Sequence, residues 1–118
     1  MATLQCDVEK SPDDGYGNKV TTVKCHGVLV SDTASEIKET VKPLLSLGGR
    51  IVVDLGDVSH LDSSGLGALV SLKVSAVRQG LCILEFVNMT PRILDLLRIS
   101  NLTQLFSSES QRSNSAAN

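Results

Sequence analysis

Residues 50–87 read RIVVDLGDVSHLDSSGLGALVSLKVSAVRQGLCILEFV, a stretch that carries three predicted elements in a row. It begins with RIVVDL and ends with LCILEFV, two continuous apolar runs of the length that forms buried strands. Between them, residues 66–79 repeat apolar side chains at helical spacing until Gly80. Because a helical crossover of this length joins parallel strands, almost always with right-handed geometry, the stretch predicts a strand, a helix and a parallel strand.

Two amphipathic helices are predicted from the spacing of apolar residues. The helix after RIVVDL should bury one stripe of side chains, namely Leu66, Leu69, Val70, Val74 and Val77. An earlier helix is predicted in TASEIKETVKPLLSLGG, with a capping box formed by Thr33 and Glu36 at its start. Pro43 predicts a kink or an early end, because proline removes a helical hydrogen bond, and Gly48 and Gly49 mark the end.

The two ends of the chain complete the predicted order of elements. TLQCDVE and KVTTVKCHGVLV carry β-branched residues and flank the turn-rich SPDDGYGN, which predicts an N-terminal hairpin with a long loop. Thr90 and Pro91 predict the start of a short helix through ILDLLRI. Residues 101–106, NLTQLF, are expected to form a short strand or turn, and residues 107–118 a disordered tail.

Composition restricts the class of protein. A chain of 118 residues leaves room for one domain, and its aromatic content of 3% predicts an aliphatic core. With 11 basic and 13 acidic side chains the net charge is −2, so no nucleic-acid or membrane partner is expected. The N-terminal residues lack the pattern of a signal peptide, and a cytoplasmic location is expected.

No cofactor or metal is predicted. The three cysteines, Cys6, Cys25 and Cys82, are widely spaced and form no C-x-x-C motif, so we expect free thiols, and a redox role is not favoured. His26 and His60 stand without further residues at metal-ligand spacing.

The most polar part of the central stretch is HLDSSGLG, which lies where a strand gives way to a helix. In α/β sheets, sites form at the carboxyl ends of strands, and the free N–H groups of a helix start favour an anion such as phosphate. Asp62 or Ser63 is expected to cap the helix, Gly65 to allow close backbone approach, and Ser64 to present a modifiable hydroxyl. Capping alone would explain Asp62 and one serine. It does not require a second serine or the second glycine, Gly67.

Other chemistry is less well supported by the residues. His60 lies four residues before Ser64, which suggests a small serine hydrolase, but G-x-S-x-G is absent and neither an oxyanion site nor an orienting acid is identifiable. Asp54 and Asp57 are as readily explained as strand-end and turn carboxylates. No catalytic residue is therefore assigned.

Three motifs resemble the STAS domain family, the bacterial anti-sigma-factor antagonists. They are D-S-S-G-L-G at Asp62–Gly67, an N-x-[ST]-P helix start at Asn88–Ile93, and N-L with a closing Leu-Phe at Asn101–Phe106. Upstream, HGVLV and the following helix resemble the family's G-x-L-D turn and first helix. The resemblance implies a STAS domain over residues 1–106, with a mixed β-sheet and helices packed mainly on one face.

The resemblance also implies a role as a partner switch without enzymatic activity. In the family, the second serine of D-S-S-G is phosphorylated by an anti-sigma-factor serine kinase and dephosphorylated by a metal-dependent serine phosphatase. That position is Ser64 here, supported by Asp62, Ser63, Gly65 and Gly67. The unmodified protein is expected to bind the kinase and so release a sigma factor, and the phosphorylated protein to let the kinase go.

One residue departs from the family pattern. Val30 stands where the family often has aspartate, and Asp32 lies two residues further on, in a loop expected to meet a partner. The alternative function is a STAS module that is never phosphorylated and acts as a scaffold or ligand sensor in a signalling assembly. A monomer or weak dimer is expected.

Overall fold

The computed structural model describes residues 3–11 and 19–99. Within them the elements run in this order: β1 Leu4–Ser11, β2 Val20–Leu29, α1 Ala34–Val41, a 3-10 helix Lys42–Leu47, β3 Gly49–Leu61, α2 Ser63–Gln79, β4 Cys82–Val87 and α3 Pro91–Ile99. The strands form one sheet in the order β1-β2-β3-β4. β1 is antiparallel to β2, whereas β2, β3 and β4 are mutually parallel, so the predicted hairpin and the predicted parallel crossover are both confirmed.

One face of the sheet carries the core. Along β3 the residues Ile51, Val53 and Leu55 are fully buried, and they alternate with more exposed neighbours. Because successive side chains of a strand point to opposite faces, this alternation marks one covered face. The same core includes side chains from each helix, among them Ile37, Leu69 and Ile93.

The opposite face of the sheet is polar and carries charge pairs between strands. His26 on β2 contacts Asp7 on β1 at 3.1 Å and Asp57 on β3 at 2.7 Å. The hydrogen bond with Asp57 is the main cause that raises the pKa of His26 above its ordinary value of 6.5. Arg50 on β3 pairs with Glu85 on β4. These pairs link neighbouring strands on the face opposite the core.

The first helix ends early, as Pro43 predicts. α1 ends at Val41 and the chain continues as a 3-10 helix, with the proline near its start. The predicted capping box is wrong, although Thr33 does occupy the N-cap position. The Thr33 side chain makes no hydrogen bond to the helix, because its hydroxyl bonds to the preceding turn, to Val28 O at 2.8 Å and Val30 N at 2.9 Å.

The second helix packs on a different stripe from the predicted one. Leu66 and Leu69 are buried as predicted and Val70 packs partly against the core, but Val74 is 38% exposed and Val77 is 65% exposed. The buried side is completed by Gly65, Ala68, Leu72, Lys73 and Ala76. Small residues on this side allow the helix to approach the sheet closely, which apolar periodicity does not capture. Gly80 ends α2 in a left-handed conformation, as predicted.

The third strand is longer than RIVVDL alone suggests. β3 runs to Leu61, so the segment DVSHL belongs to the strand and does not follow it. Val58 and Leu61 are buried while Ser59 and His60 are exposed, and β2 pairs with this extension through two irregular steps. The apolar pattern did not predict this extension of β3, because exposed residues such as Ser59 and His60 are polar.

The last described helix starts as predicted. The Ile93 N–H donates to the Thr90 hydroxyl at 3.4 Å, and Pro91 is the first helical residue. Within the described ranges, no helix has the length and apolarity needed to cross a membrane. The predicted hairpin loop, the NLTQLF segment and the tail 107–118 lie outside the described residues, so the domain boundary at residue 106 stays a prediction.

Candidate functional site

The candidate site lies where β3 passes into α2. β3 ends at Leu61 and α2 begins at Ser63, with Asp62 between them in an extended conformation. β2 ends at Leu29, which is in register with Leu61, so the loops after both strands meet at one edge of the sheet. The Asp62 N–H donates to Leu29 O at 3.2 Å, which ties the start of α2 to the end of β2.

The Asp62 carboxylate holds two segments of backbone. One oxygen accepts from the Gly65 N–H at 2.9 Å, which caps α2. The other accepts from the Ser31 N–H at 3.2 Å, in the loop after β2. Asp62 is therefore the cap, and the alternative of Ser63 as the cap is wrong.

Hydrogen bonding favours the ionised form of the Asp62 carboxyl. The Gly65 N–H is the main cause that lowers the pKa of Asp62 below its ordinary value of 3.8. The N–H groups of Ser31 and Ser64 and the charge of His60 act in the same direction, and desolvation opposes them. The junction therefore carries a fixed negative charge at neutral pH.

Ser63 and Ser64 are both exposed in the first turn of α2. Since Asp62 already serves the helix start, neither hydroxyl is needed as a cap. Among the described residues, no hydrogen bond occupies either hydroxyl. The geometry leaves two accessible serine side chains beside a capped and negatively charged turn.

The two glycines of the motif have different roles. At Gly65 an added Cβ would lie 2.1 Å from Leu29 O, so glycine is required for the contact between α2 and β2. At Gly67 nothing lies within 4 Å of an added Cβ, and the residue is exposed. The close backbone approach predicted at Gly65 is confirmed. Gly67, like Ser63 and Ser64, is exposed, and its role in the site stays a prediction.

The loop after β2 forms the neighbouring wall of the site. The sequence predicted that this loop meets a partner, but not that it contacts Asp62. Ser31 binds Asp62 through its backbone, and Asp32 is exposed beside it. Val30 contributes its backbone to the turn, where its carbonyl accepts from the N–H groups of Thr33 and Ala34. These hydrogen bonds of the turn use the backbone of residue 30 and do not depend on its side chain. A prediction that β2 and β3 are parallel neighbours would have placed this loop beside Asp62, because the carboxyl ends of parallel strands meet at one edge of the sheet.

The residues weighed for other chemistry do not form a catalytic group. Asp54 accepts from the Gly56 N–H at 2.9 Å and Asp57 pairs with His26, so both have structural partners. In the described part of the chain, no hydrogen bond joins the His60 ring to the Ser64 hydroxyl. Over the same residues, no group of three or more His, Cys, Asp or Glu side chains is arranged to hold a metal.

Comparison with known proteins gives consistent matches. A family model described as "Mlab, STAS domain" matches residues 17–107. A STAS-domain containing protein of Pseudomonas aeruginosa is 42% identical over 85 residues, which cover 72% of this chain and 83% of the relative. The anti-sigma-B factor antagonist of Bacillus subtilis is 28% identical over 102 residues, covering 86% of this chain and 87% of the relative.

A solved structure shows the same fold. The Bacillus cell fate determinant SpoIIAA in its phosphorylated form matches with a TM-score of 0.62, covering 86% of this chain and 88% of that chain. The sequence identity is 15%, so this likeness concerns the fold alone.

Proposed function

The chain belongs to the STAS domain family, and from this membership we propose that it is an anti-sigma-factor antagonist that works as a partner switch. In its unmodified form it binds an anti-sigma-factor serine kinase. This binding frees the sigma factor that the kinase had held. The kinase phosphorylates Ser64 and is then released. A serine phosphatase restores the binding form. The chain itself catalyses no reaction in this cycle.

The observation that carries the proposal is the exposed Ser64 hydroxyl on a rigid support. Asp62 holds the first turn of α2 to Ser31, and Gly65 packs on Leu29 O. A kinase therefore meets a serine whose backbone is already fixed, so little ordering entropy opposes docking.

Phosphorylation changes charge where the partner would bind. A phosphate adds about 1.5 to 2 negative charges at neutral pH, next to the ionised Asp62 carboxylate. The start of α2 carries about half a positive charge, which favours a phosphate at this position without refolding. SpoIIAA, which has a similar fold, has been solved in a phosphorylated form, so a protein with this fold can carry the modification.

A small energy suffices for such a switch. Each tenfold loss of affinity requires about 1.4 kcal/mol, and several charge-assisted contacts at a buried interface exceed that value. The added charge and bulk of one phosphate are therefore enough to release a partner that fits the unmodified surface closely.

The first test is where phosphate is found in cells. Tagged wild type, Ser64→Ala and Ser63→Ala are produced in the native cells, purified and mapped by mass spectrometry. We expect phosphate on Ser64 in the wild type and in Ser63→Ala, and none in Ser64→Ala. Phosphate on Ser63 would show that Ser64 is not the switch residue. No phosphate in any of the three proteins would favour the scaffold alternative.

The second test is binding. Calorimetry with each purified anti-sigma-type serine kinase of the same cells should show tight binding of wild type and Ser64→Ala. Ser64→Asp should bind roughly tenfold more weakly, and the phosphorylated protein more weakly still, because one carboxylate has less charge and fewer acceptor oxygens than phosphate. Equal binding by Ser64→Asp and wild type would contradict the proposed mechanism.

A further inference from the structure

The hairpin of β1 and β2 brings two thiols into contact that lie 19 residues apart in the chain. Cys6 and Cys25 are directly opposite each other in the antiparallel register. Their sulfur atoms are 3.8 Å apart and share a hydrogen bond. All three cysteines are free thiols, as predicted, but the spacing along the sequence gave no sign of this pair because strand pairing creates it.

The register suits a disulfide. Opposite residues of antiparallel strands have Cα atoms about 4.5 or 5.5 Å apart. Both separations fall in the range of about 4.4 to 6.8 Å that disulfides span. Cys25 is 1% exposed within the core, and Cys6 packs against the same core. Bringing the sulfurs to the bonded distance of about 2 Å therefore requires side-chain rotation without a change of strand register.

The two thiols differ in access and acidity. Cys6 is half-buried on the edge strand, whereas Cys25 is buried in β2. The hydrogen bond with Cys25 holds the pKa of the Cys6 thiol below its ordinary value of 9.0, against the effect of burial. The Thr40 hydroxyl lowers this pKa further, while the nearby carboxylates of Glu36 and Asp7 raise it. The contact with Cys6, together with burial, raises the pKa of Cys25.

We propose that Cys6 and Cys25 form a dithiol site that a hydroperoxide oxidises to an intrachain disulfide. The Cys6 thiolate attacks a peroxide oxygen, the O–O bond breaks, and Cys6 becomes a sulfenic acid. With hydrogen peroxide the leaving hydroxide takes up a proton and becomes water. The Cys25 sulfur then attacks the sulfenic sulfur, and the sulfenic oxygen leaves with the Cys25 proton as a second water. Two electrons pass from the sulfurs to the peroxide.

The Cys6–Cys25 disulfide would link the edge strand β1 covalently to β2. Within the described sheet β1 pairs with β2 alone, so it depends on that one register. A disulfide between the two strands restrains the unfolded chain and raises the thermal midpoint. In a reducing compartment the dithiol form is the resting state, and the bond forms transiently under oxidant.

Cys82 provides the internal comparison. It is half-buried, and burial raises its pKa. Wild type and Cys82→Ala are exposed to hydrogen peroxide, unfolded, alkylated with N-ethylmaleimide and mapped by mass spectrometry. Cys82→Ala should lose two hydrogens, take up no alkyl group and regain two alkylation sites after dithiothreitol. In wild type, Cys6 should be oxidised roughly tenfold faster than Cys82, since the thiolate is the reactive form.

Single variants distinguish the roles of the two sulfurs. In Cys25→Ala, Cys6 should stop at a sulfenic acid that dimedone traps, and in Cys6→Ala the Cys25 thiol should remain reduced. Oxidation of Cys82 as fast as Cys6, a bond that includes Cys82, or independent alkylation of Cys6 and Cys25 in the treated Cys82→Ala protein would overturn the proposal. That last variant keeps the whole pair, so its result stands even where Cys25→Ala fails to fold.

Discussion

The chain enters α1 and α2 through two neighbouring junctions of the same kind, which use their capping residues in opposite ways. At α1, Thr33 holds the N-cap position but is 1% exposed, and its hydroxyl bonds to the preceding turn. At α2, Asp62 holds the equivalent position, and its carboxylate caps the helix and binds the loop of the first junction. The polar group of the first junction, the Thr33 hydroxyl, is buried, whereas that of the second, the Asp62 carboxylate, lies near the surface.

The difference explains why accessible hydroxyls lie at the second junction. A buried hydroxyl must be hydrogen-bonded, so the Thr33 side chain is committed to the turn. At α2 the Asp62 carboxylate serves the free N–H groups, and Ser63 and Ser64 are left exposed. A serine in the first turn of a helix is available for modification when a neighbour does the capping.

Gly65→Ala should have the largest effect on this arrangement. Its Cβ would lie 2.1 Å from Leu29 O, so the backbone must shift, and we expect the free energy of unfolding to fall by about 3 kcal/mol. Gly67→Ala is the matched control. With nothing within 4 Å of the new Cβ, it should raise that energy by about 0.5 to 1 kcal/mol. Urea denaturation measures both, and equal effects would show that Gly65 does not join the two junctions.

Thr33→Val should have the next largest effect. It keeps the shape of the side chain but leaves Val30 N and Val28 O without their partner, at a cost of about 1 to 3 kcal/mol in unfolding free energy. Ser31→Ala, two residues earlier, keeps the backbone N–H that binds Asp62 and should change stability by less than about 0.5 kcal/mol. A neutral Thr33→Val in the same denaturation series would mean that the first junction does not depend on its buried hydroxyl.

Asp62→Asn should have the smallest effect and one that depends on pH. Because folding lowers the pKa of Asp62, its contribution to stability is present above the ordinary value of 3.8 and is lost as the pH falls through the folded value. The wild type should therefore melt above Asp62→Asn at neutral pH, and the difference should shrink in acid. Thermal unfolding over this range, with the exposed Asp32→Asn as control, measures it. A difference that does not change with pH would show that the charge of Asp62 is not what binds the two loops.

Much of the fold could be predicted because its signals are local. Pro43 ends α1 early, Gly80 ends α2, and Thr90 with Pro91 starts α3, since each acts within a few residues of itself. The same holds for the site, where Asp62 caps the helix through a residue three positions away. The burial of Val74 and Val77 was predicted wrongly because the packing of α2 on the sheet, a contact between distant segments, decides which side is buried. The capping roles of Thr33 and Ser63 were wrong for a local reason, since other groups within a few residues compete for the same hydrogen bonds.

The amino-acid order alone thus established the elements, their parallel crossover, the family motif and Ser64 as the candidate for modification. Folding in three dimensions settled which side of α2 is buried, why Gly65 must be glycine, what Ser31 binds, and which cysteine faces Cys25. The physical reason is distance along the chain. Ser31 and Asp62 are 31 residues apart and Cys6 and Cys25 are 19 apart, and such contacts arise from strand register and close packing, which no local pattern encodes.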